Sequence, residues 1–186
     1  MPLQYQITKY DCVPTTIING IQVLLRRGEI LPEVIKVIYL YSLDTRDKNG
    51  KIGGRGTSYN AIELICNSLN ELLDFNITME IFWGKDVSLK RISNCIKKGG
   101  VACVRIYYKS NLYHYILVVN LDDDNIYAFD PYFRKIKYED SEVELINSLF
   151  CNYNRIISKE RFNSKYEQLF AMSSDNEREC IIMNLC

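Results

Sequence analysis

Histidine is almost missing from this chain. His114 is the single one in 186 residues. That removes most zinc arrangements, because such sites need clustered Cys and His ligands. No CxxC pair occurs either, and the seven cysteines (Cys12, Cys66, Cys95, Cys103, Cys151, Cys180, Cys186) are odd in number and irregularly spaced. A disulfide framework is therefore not expected, and most of these thiols are read as small buried hydrophobes. Charge of one sign is lacking. Lys+Arg and Asp+Glu balance at 23 each, which gives no electrostatic ground for a nucleic-acid or anionic-membrane partner. No apolar run approaches the roughly 18 residues of a membrane span; runs such as Ile116 to Val119 are strand-sized. Met1-Pro2-Leu3-Gln4-Tyr5 has neither a basic nor an apolar leader region, so no signal peptide is visible. The expectation is a soluble, cytoplasmic protein with no cofactor, no metal, no nucleic-acid partner and no membrane partner.

What is present is ample apolar material. At 47% hydrophobic residues, the chain can fill one core at this length. One domain over 1–186 is expected, helical over about 1–75 and sheet-forming over about 76–186. Ile17, Ile18, Ile21, Leu24 and Leu25 recur at helical spacing and predict a helix over 12–27, started near Asp11 and stopped at Gly28. A second helix fits 31–43. A third fits about 58–73, capped by Thr57 or Ser58, with Ile62, Ile65, Leu69 and Leu72 on one stripe. Ser88 opens a short helix through Leu89, Ile92, Cys95 and Ile96, ended by Gly99-Gly100. Strands are predicted at 77–82, 101–108, 113–121, 125–130 and 134–138, a helix at 141–151, and further strands at 155–158 and 180–185. Short polar turns such as Asp122-Asp123-Asp124-Asn125 join the strands, as in an antiparallel meander. Helices first and sheet after is the order of an α+β fold in two layers. Residues 139–186 are open between a lid and the completion of that sheet.

Four residues point to chemistry. Cys12 stands at a predicted helix N-terminus, where unpaired N–H groups and the positive end of the helix dipole favour a thiolate. His114 opens the strongly apolar strand His-Tyr-Ile-Leu-Val-Val and is the only imidazole a nucleophilic cysteine could use. If Asp122 to Asn125 turn the chain back, Asp130 returns to the end of the hairpin at which His114 sits. A carboxylate there would fix the imidazole tautomer. Gln6, six residues before Cys12, offers a side-chain amide to a tetrahedral oxyanion, beside the backbone N–H of the nucleophile. Gln4 is close by. Tyr10, Tyr107, Tyr108, Tyr113 and Tyr132 are expected to flank the site. The run Gly53-Gly54-Arg55-Gly56-Thr57-Ser58 lacks the Lys-Ser/Thr of a phosphate loop, and a flexible rim of the cleft is the better reading.

Gln-x4-Asp-Cys opening a long helix, followed far downstream by His and then Asp-Pro on consecutive strands, resembles the bacteriocin-processing cysteine peptidases of the papain clan. These are the double-glycine leader peptidases and their stand-alone relatives. The resemblance spans roughly residues 4–138. It implies a papain-like fold with Cys12 as nucleophile, His114 as general base and acid, Asp130 as orienter and Gln6 in the oxyanion hole. Val13-Pro14 follows Cys12 where the family has glycine. No papain-type second cysteine and aromatic follow the nucleophile, and no transporter domain is read within these 186 residues. A Cys–His pair forms an acyl-enzyme. Water then gives a peptidase. An amine gives amide-bond formation, for instance from a carrier-protein thioester, since thiol–thioester exchange is nearly balanced in energy. The expected partners are thus a peptide or acyl-thioester and, for amide formation, a small amine. The reading from another class is a non-catalytic peptide-binding module on the same cleft.

Overall fold

The computed structural model describes residues 2–72, 74–109, 112–148 and 151–186. Helices come first: α1 (Cys12–Leu24), α2 (Pro32–Tyr41) and α3 (Tyr59–Asn70). Helix α1 ends three residues earlier than its apolar spacing predicts. Arg26 and Arg27 both take the left-handed conformation, at φ of 50° and 68°, and turn the chain before Gly28 is reached. Pro32 opens α2, where a missing N–H costs nothing. The Ser58 hydroxyl accepts from Ala61 N at 3.2 Å and caps α3. Residue 73 of the predicted third helix lies outside the described residues.

The sheet follows: β1 (Ile77–Trp83), then α4 (Leu89–Lys97), β2 (Val101–Lys109), β3 (Leu112–Leu121), β4 (Asn125–Phe129), β5 (Val143–Leu145), β6 (Arg155–Ser158), α5 (Lys159–Asn163) and β7 (Glu179–Leu185). The strand order is β1-β7-β2-β3-β4-β6-β5, and every pairing is antiparallel. The last third of the chain therefore completes the sheet. Strand β7 inserts between β1 and β2, and β5 and β6 extend the far edge.

Two predicted elements are corrected. Residues 134–138 form no strand: Ile136, between Lys135 and Lys137, is 76% exposed, and only Tyr138 turns to the core, against Phe170. Residues 141–151 form no helix over their described part, and residues 149–150 lie outside it. Val143 and Leu145 instead point inward from β5, on either side of exposed Glu144, in the period of a strand. The layering also differs from expectation. Ile17, Ile21, Ile62, Ile65 and Leu69 of α1 and α3 pack on one face of the sheet, against Leu117, Ile181 and Met183. Ile92, Phe162, Phe170 and Met172 cover the other face, against Val104, Ile116 and Ile182. A sheet buried on both faces explains why the central strands read as continuous apolar runs, without alternation.

Helix α1 lies close on the sheet. A Cβ at Gly20 would sit 2.9 Å from Met183 Sδ and 3.3 Å from Leu117 Cδ1. Thr16 donates its hydroxyl to Tyr115 O at 3.2 Å. This docking sets the N-terminus of α1, and with it Cys12, beside the start of β3.

Candidate active site

The segment before α1 is built by one buried carboxylate. Asp11 accepts from Ile7 N (2.9 Å), Thr8 N (2.7 Å) and Thr8 Oγ1 (2.5 Å). Its side chain makes no capping bond to α1, contrary to the simplest sequence expectation; it folds the preceding loop instead. Asn19 clasps Gln4 through both main-chain groups (2.7 and 2.8 Å), and Gln6 N donates to Pro131 O at 2.9 Å. Gln6 is thereby held beside the Asp130-Pro131 turn.

The β3–β4 hairpin forms as the turn chemistry predicts, with Leu117 opposite Phe129. His114 and Asp130, each next to the paired region, meet through Nε2 and Oδ1 at 2.8 Å. Asp130 is 1% exposed. Burial works against its charge, but His114, Arg155 and the Tyr132 N–H together hold its carboxyl below the usual carboxylate range. An ionised carboxylate only accepts hydrogen bonds, so Nε2 of His114 carries a proton and Nδ1 is left for the other side. On that side the imidazole faces the half-buried Cys12 thiol, which is close enough to raise the imidazole pKa. Burial pulls the His114 pKa down, and the charge and hydrogen bond of Asp130, with Cys12, outweigh it and push the value up to about 10. The structure thus brings Cys12, His114 and Asp130 into one chain of contacts.

The sign of this shift gives a prediction. A histidine raised from 6.5 to about 10 stabilises the fold fully below the lower value and loses that contribution as pH rises through the upper one. Because His114 is the sole histidine, its ring proton resonance needs no assignment. It is expected to stay at the imidazolium position through neutral pH and to titrate near 10. A midpoint near 6.5 would rule out the buried pair with Asp130.

Arg155 is the residue that sequence reasoning missed. Its side chain is 1% exposed, and Nη2 meets Asp130 Oδ2 at 2.8 Å. Three of its other four N–H donors bond Tyr138 Oη (2.9 Å), Asn154 O (2.9 Å) and Tyr132 O (3.1 Å). Asn154 fixes the backbone of Asp130 on both sides, accepting from its N at 2.7 Å and donating to its O at 2.9 Å. A lone arginine opening an apolar strand, Arg155-Ile156-Ile157, was the available signal.

Gln6 lines the same cavity as Cys12 and His114. Its Nε2 donates to Thr8 O at 2.7 Å, which leaves one amide hydrogen uncommitted, and its Oε1 is buried with no partner among the described residues. Gln4 is used structurally, on Asn19.

The cavity has a volume of about 1180 Å³. Gly54, Arg55, Gly56 and Thr57 form one wall, so the glycine-rich run does border the site. Gly56 is needed there: its φ is +85°, and a Cβ would stand 3.2 Å from Tyr10 O. Tyr10, Tyr108, Tyr113 and Tyr132 also line it, whereas Tyr107 stacks edge-on behind Tyr113. The inner end, also missed from sequence, holds Tyr59 against Trp83 (ring centroids 4.1 Å apart), with Tyr115 and Glu179. Among the described residues no group of His, Cys, Asp and Glu is arranged to hold a metal ion, and no helix is long and apolar enough to cross a membrane.

No family model matches the sequence, and no curated protein is similar to it in sequence. A fold comparison is informative. A crystal structure from Bacillus anthracis, described as a C39-like peptidase, superposes with a TM-score of 0.54 at 14% identity, covering 97% of this chain and 93% of that one. The fold is that of a C39-like peptidase. At such identity the likeness concerns the backbone, and the chemistry rests on the side chains above.

Proposed function

We propose that this protein is a cysteine-nucleophile acyl-transfer enzyme of the peptidase kind, with Cys12 as nucleophile, His114 as acid and base, Asp130 as orienter and Gln6 as oxyanion donor. The observation behind the reading is the continuous contact from Cys12 through His114 to Asp130, at the mouth of a large cavity. The imidazolium favours a thiolate opposite it. The thiolate sulfur attacks the substrate carbonyl carbon. The oxyanion is met by the spare N–H of Gln6 and the unpaired main-chain N–H at the start of α1. His114 gives its proton to the leaving amine as the C–N bond breaks, and a thioester remains on Cys12. Water then attacks with His114 taking its proton, and the thiolate leaves.

Aminolysis is the second reading. A cavity of about 1180 Å³ exceeds the roughly 300–1000 Å³ of a single small-molecule site. It has room for an acyl chain and an amine together, and an amine reaching the thioester first would give an amide.

The test is to trap the acyl-enzyme. Incubation with acyl thioesters of N-acetylcysteamine and with peptide esters, followed by rapid acid quench and peptide mapping, is expected to place the acyl group on Cys12. An acyl group on another residue, or turnover with no covalent species at single-turnover enzyme excess, would contradict the mechanism. Gln6→Ala is expected to lower kcat by about ten- to a thousand-fold with little change in KM, because the amide acts on the oxyanion and not on the ground-state carbonyl. An effect confined to KM would remove Gln6 from that role.

A further inference from the structure

Two buried polar atoms at the inner end of the cavity have no partner among the described residues: Glu179 Oε1 and Trp83 Nε1. The two residues are cross-strand partners, Trp83 on β1 opposite Glu179 on β7. Both residues line the cavity that holds Cys12. Glu179 is only 8% exposed. Its carboxyl hydrogen-bonds the hydroxyl of Tyr115, the residue after His114. Tyr115 also feels the charge of Cys12, so this part of the cavity lies near the reactive thiol.

Two guanidiniums, Arg105 and Arg178, also line the cavity, and each is bonded elsewhere. Arg105 is the cation nearest in register, one step beyond the Val104–Cys180 pair. Its guanidinium is committed to Glu177, bonding the main-chain carbonyl and, at 2.9 Å, the carboxylate, and it stacks over Tyr113 at 3.6 Å. Arg178 turns away to Asn163 and Ser173. Glu63 adds negative charge near Tyr59. Burial raises the Glu179 pKa above the ordinary carboxylate value, with Tyr115 and Arg105 offsetting part of the rise. A buried acid in that condition is stabilised by an incoming cation.

We propose that Glu179, Trp83 and Tyr59 form a specificity pocket for a basic residue, lysine or arginine, of the peptide substrate. The ammonium or guanidinium supplies the donor that Glu179 Oε1 lacks. The faces of the tilted Tyr59 and Trp83 rings attract the same cation. A main-chain carbonyl of that residue supplies the acceptor that the Trp83 N–H lacks. Ile62 and Val13 give the alkyl stem of the side chain an apolar wall. The pocket rests on the reading of Cys12 as the reactive thiol, and the experiment separates the two.

Cys12 is alkylated with three chloromethyl ketones of one dipeptide scaffold, carrying lysine, norleucine or glutamate, and the rates are followed by intact mass. Each rate is divided by the iodoacetamide rate of Cys12 in the same protein. The lysine probe is expected to lead norleucine by about ten- to a hundred-fold, with glutamate slowest. In Glu179→Gln, which keeps shape and volume, the ratio of the lysine rate to the norleucine rate should fall to about one. In the wild type, n-butylammonium should slow the lysine probe and 1-butanol should not. Equal rates for lysine and norleucine, or an advantage that survives Glu179→Gln, would overturn the pocket. If iodoacetamide reacts with Cys12 no faster than with the other cysteines, the failure belongs to the nucleophile instead.

Discussion

Cys12→Ala is expected to reduce turnover to background in any assay the wild type passes, and His114→Ala to do nearly the same. The two residues act as a unit. Without sulfur there is no acyl-enzyme; without the imidazole there is neither a counter-ion for the thiolate nor a proton for the leaving amine. Losses in such a unit do not add, so the double variant should be no worse than either single one. Asp130→Asn should be milder, at about ten- to a thousand-fold, because an amide can still orient the ring but does not stabilise an imidazolium. Rates measured with one substrate across these four variants test the pattern. Wild-type activity in Cys12→Ala would end the covalent mechanism. A double variant far worse than both singles would show that the two act independently.

Arg155→Met is expected to produce the largest loss of stability. Arg155 and Asp130 are each 1% exposed at the side chain, and their ion pair is 2.8 Å long. Removing the cation leaves a buried carboxylate with the imidazolium as its only remaining counter-charge. Breaking a pair of this kind costs about 3–5 kcal/mol. For a chain of this size that corresponds to a fall in Tm of roughly 6–20 °C. The cost comes from the stranded charge, so Arg155→Met combined with Asp130→Asn should regain much of the lost stability. Calorimetry on both variants measures this. A double variant no more stable than Arg155→Met would place the loss in packing against Tyr138 instead.

Arg155 also marks where sequence reasoning reached its limit. Cys12, His114 and Asp130 were legible because local rules place each of them: a helix start, a strand start and a hairpin whose turn residues fix its register. Arg155 lies 25 residues beyond Asp130, and its role depends on β6 pairing with β4. Glu179 and Trp83 depend on β7 crossing back to lie between β1 and β2. Such non-local pairings leave no periodic signature. The three long helices, the Ser88 cap and the central strands followed from apolar period and turn chemistry. The segment 141–151 did not, because Val143, Leu145 and Ile146 fit a short strand and a helical stripe alike, and only the open edge of β6 decides between them. The cover on the second face of the sheet was hidden in the same way, since Phe162 stands alone among polar residues and the short run Leu169 to Met172 has neither helical nor strand period.

The most direct measurement of the central claim is a cysteine-resolved alkylation profile. Wild type and His114→Ala are treated with limiting iodoacetamide from pH 5 to 9, and each of the seven thiols is followed by peptide mapping. Cys66, Cys95, Cys103 and Cys180 are buried, and burial pushes their thiols up: Cys66 and Cys180 to about 12, Cys95 to about 11, and Cys103 well above the ordinary value. They should stay silent throughout. Cys12 is predicted to react far faster than the exposed Cys186 at pH 6 and to lose that lead in His114→Ala. A Cys12 that follows Cys186 across the whole range in both proteins would contradict the activated cysteine and histidine pair.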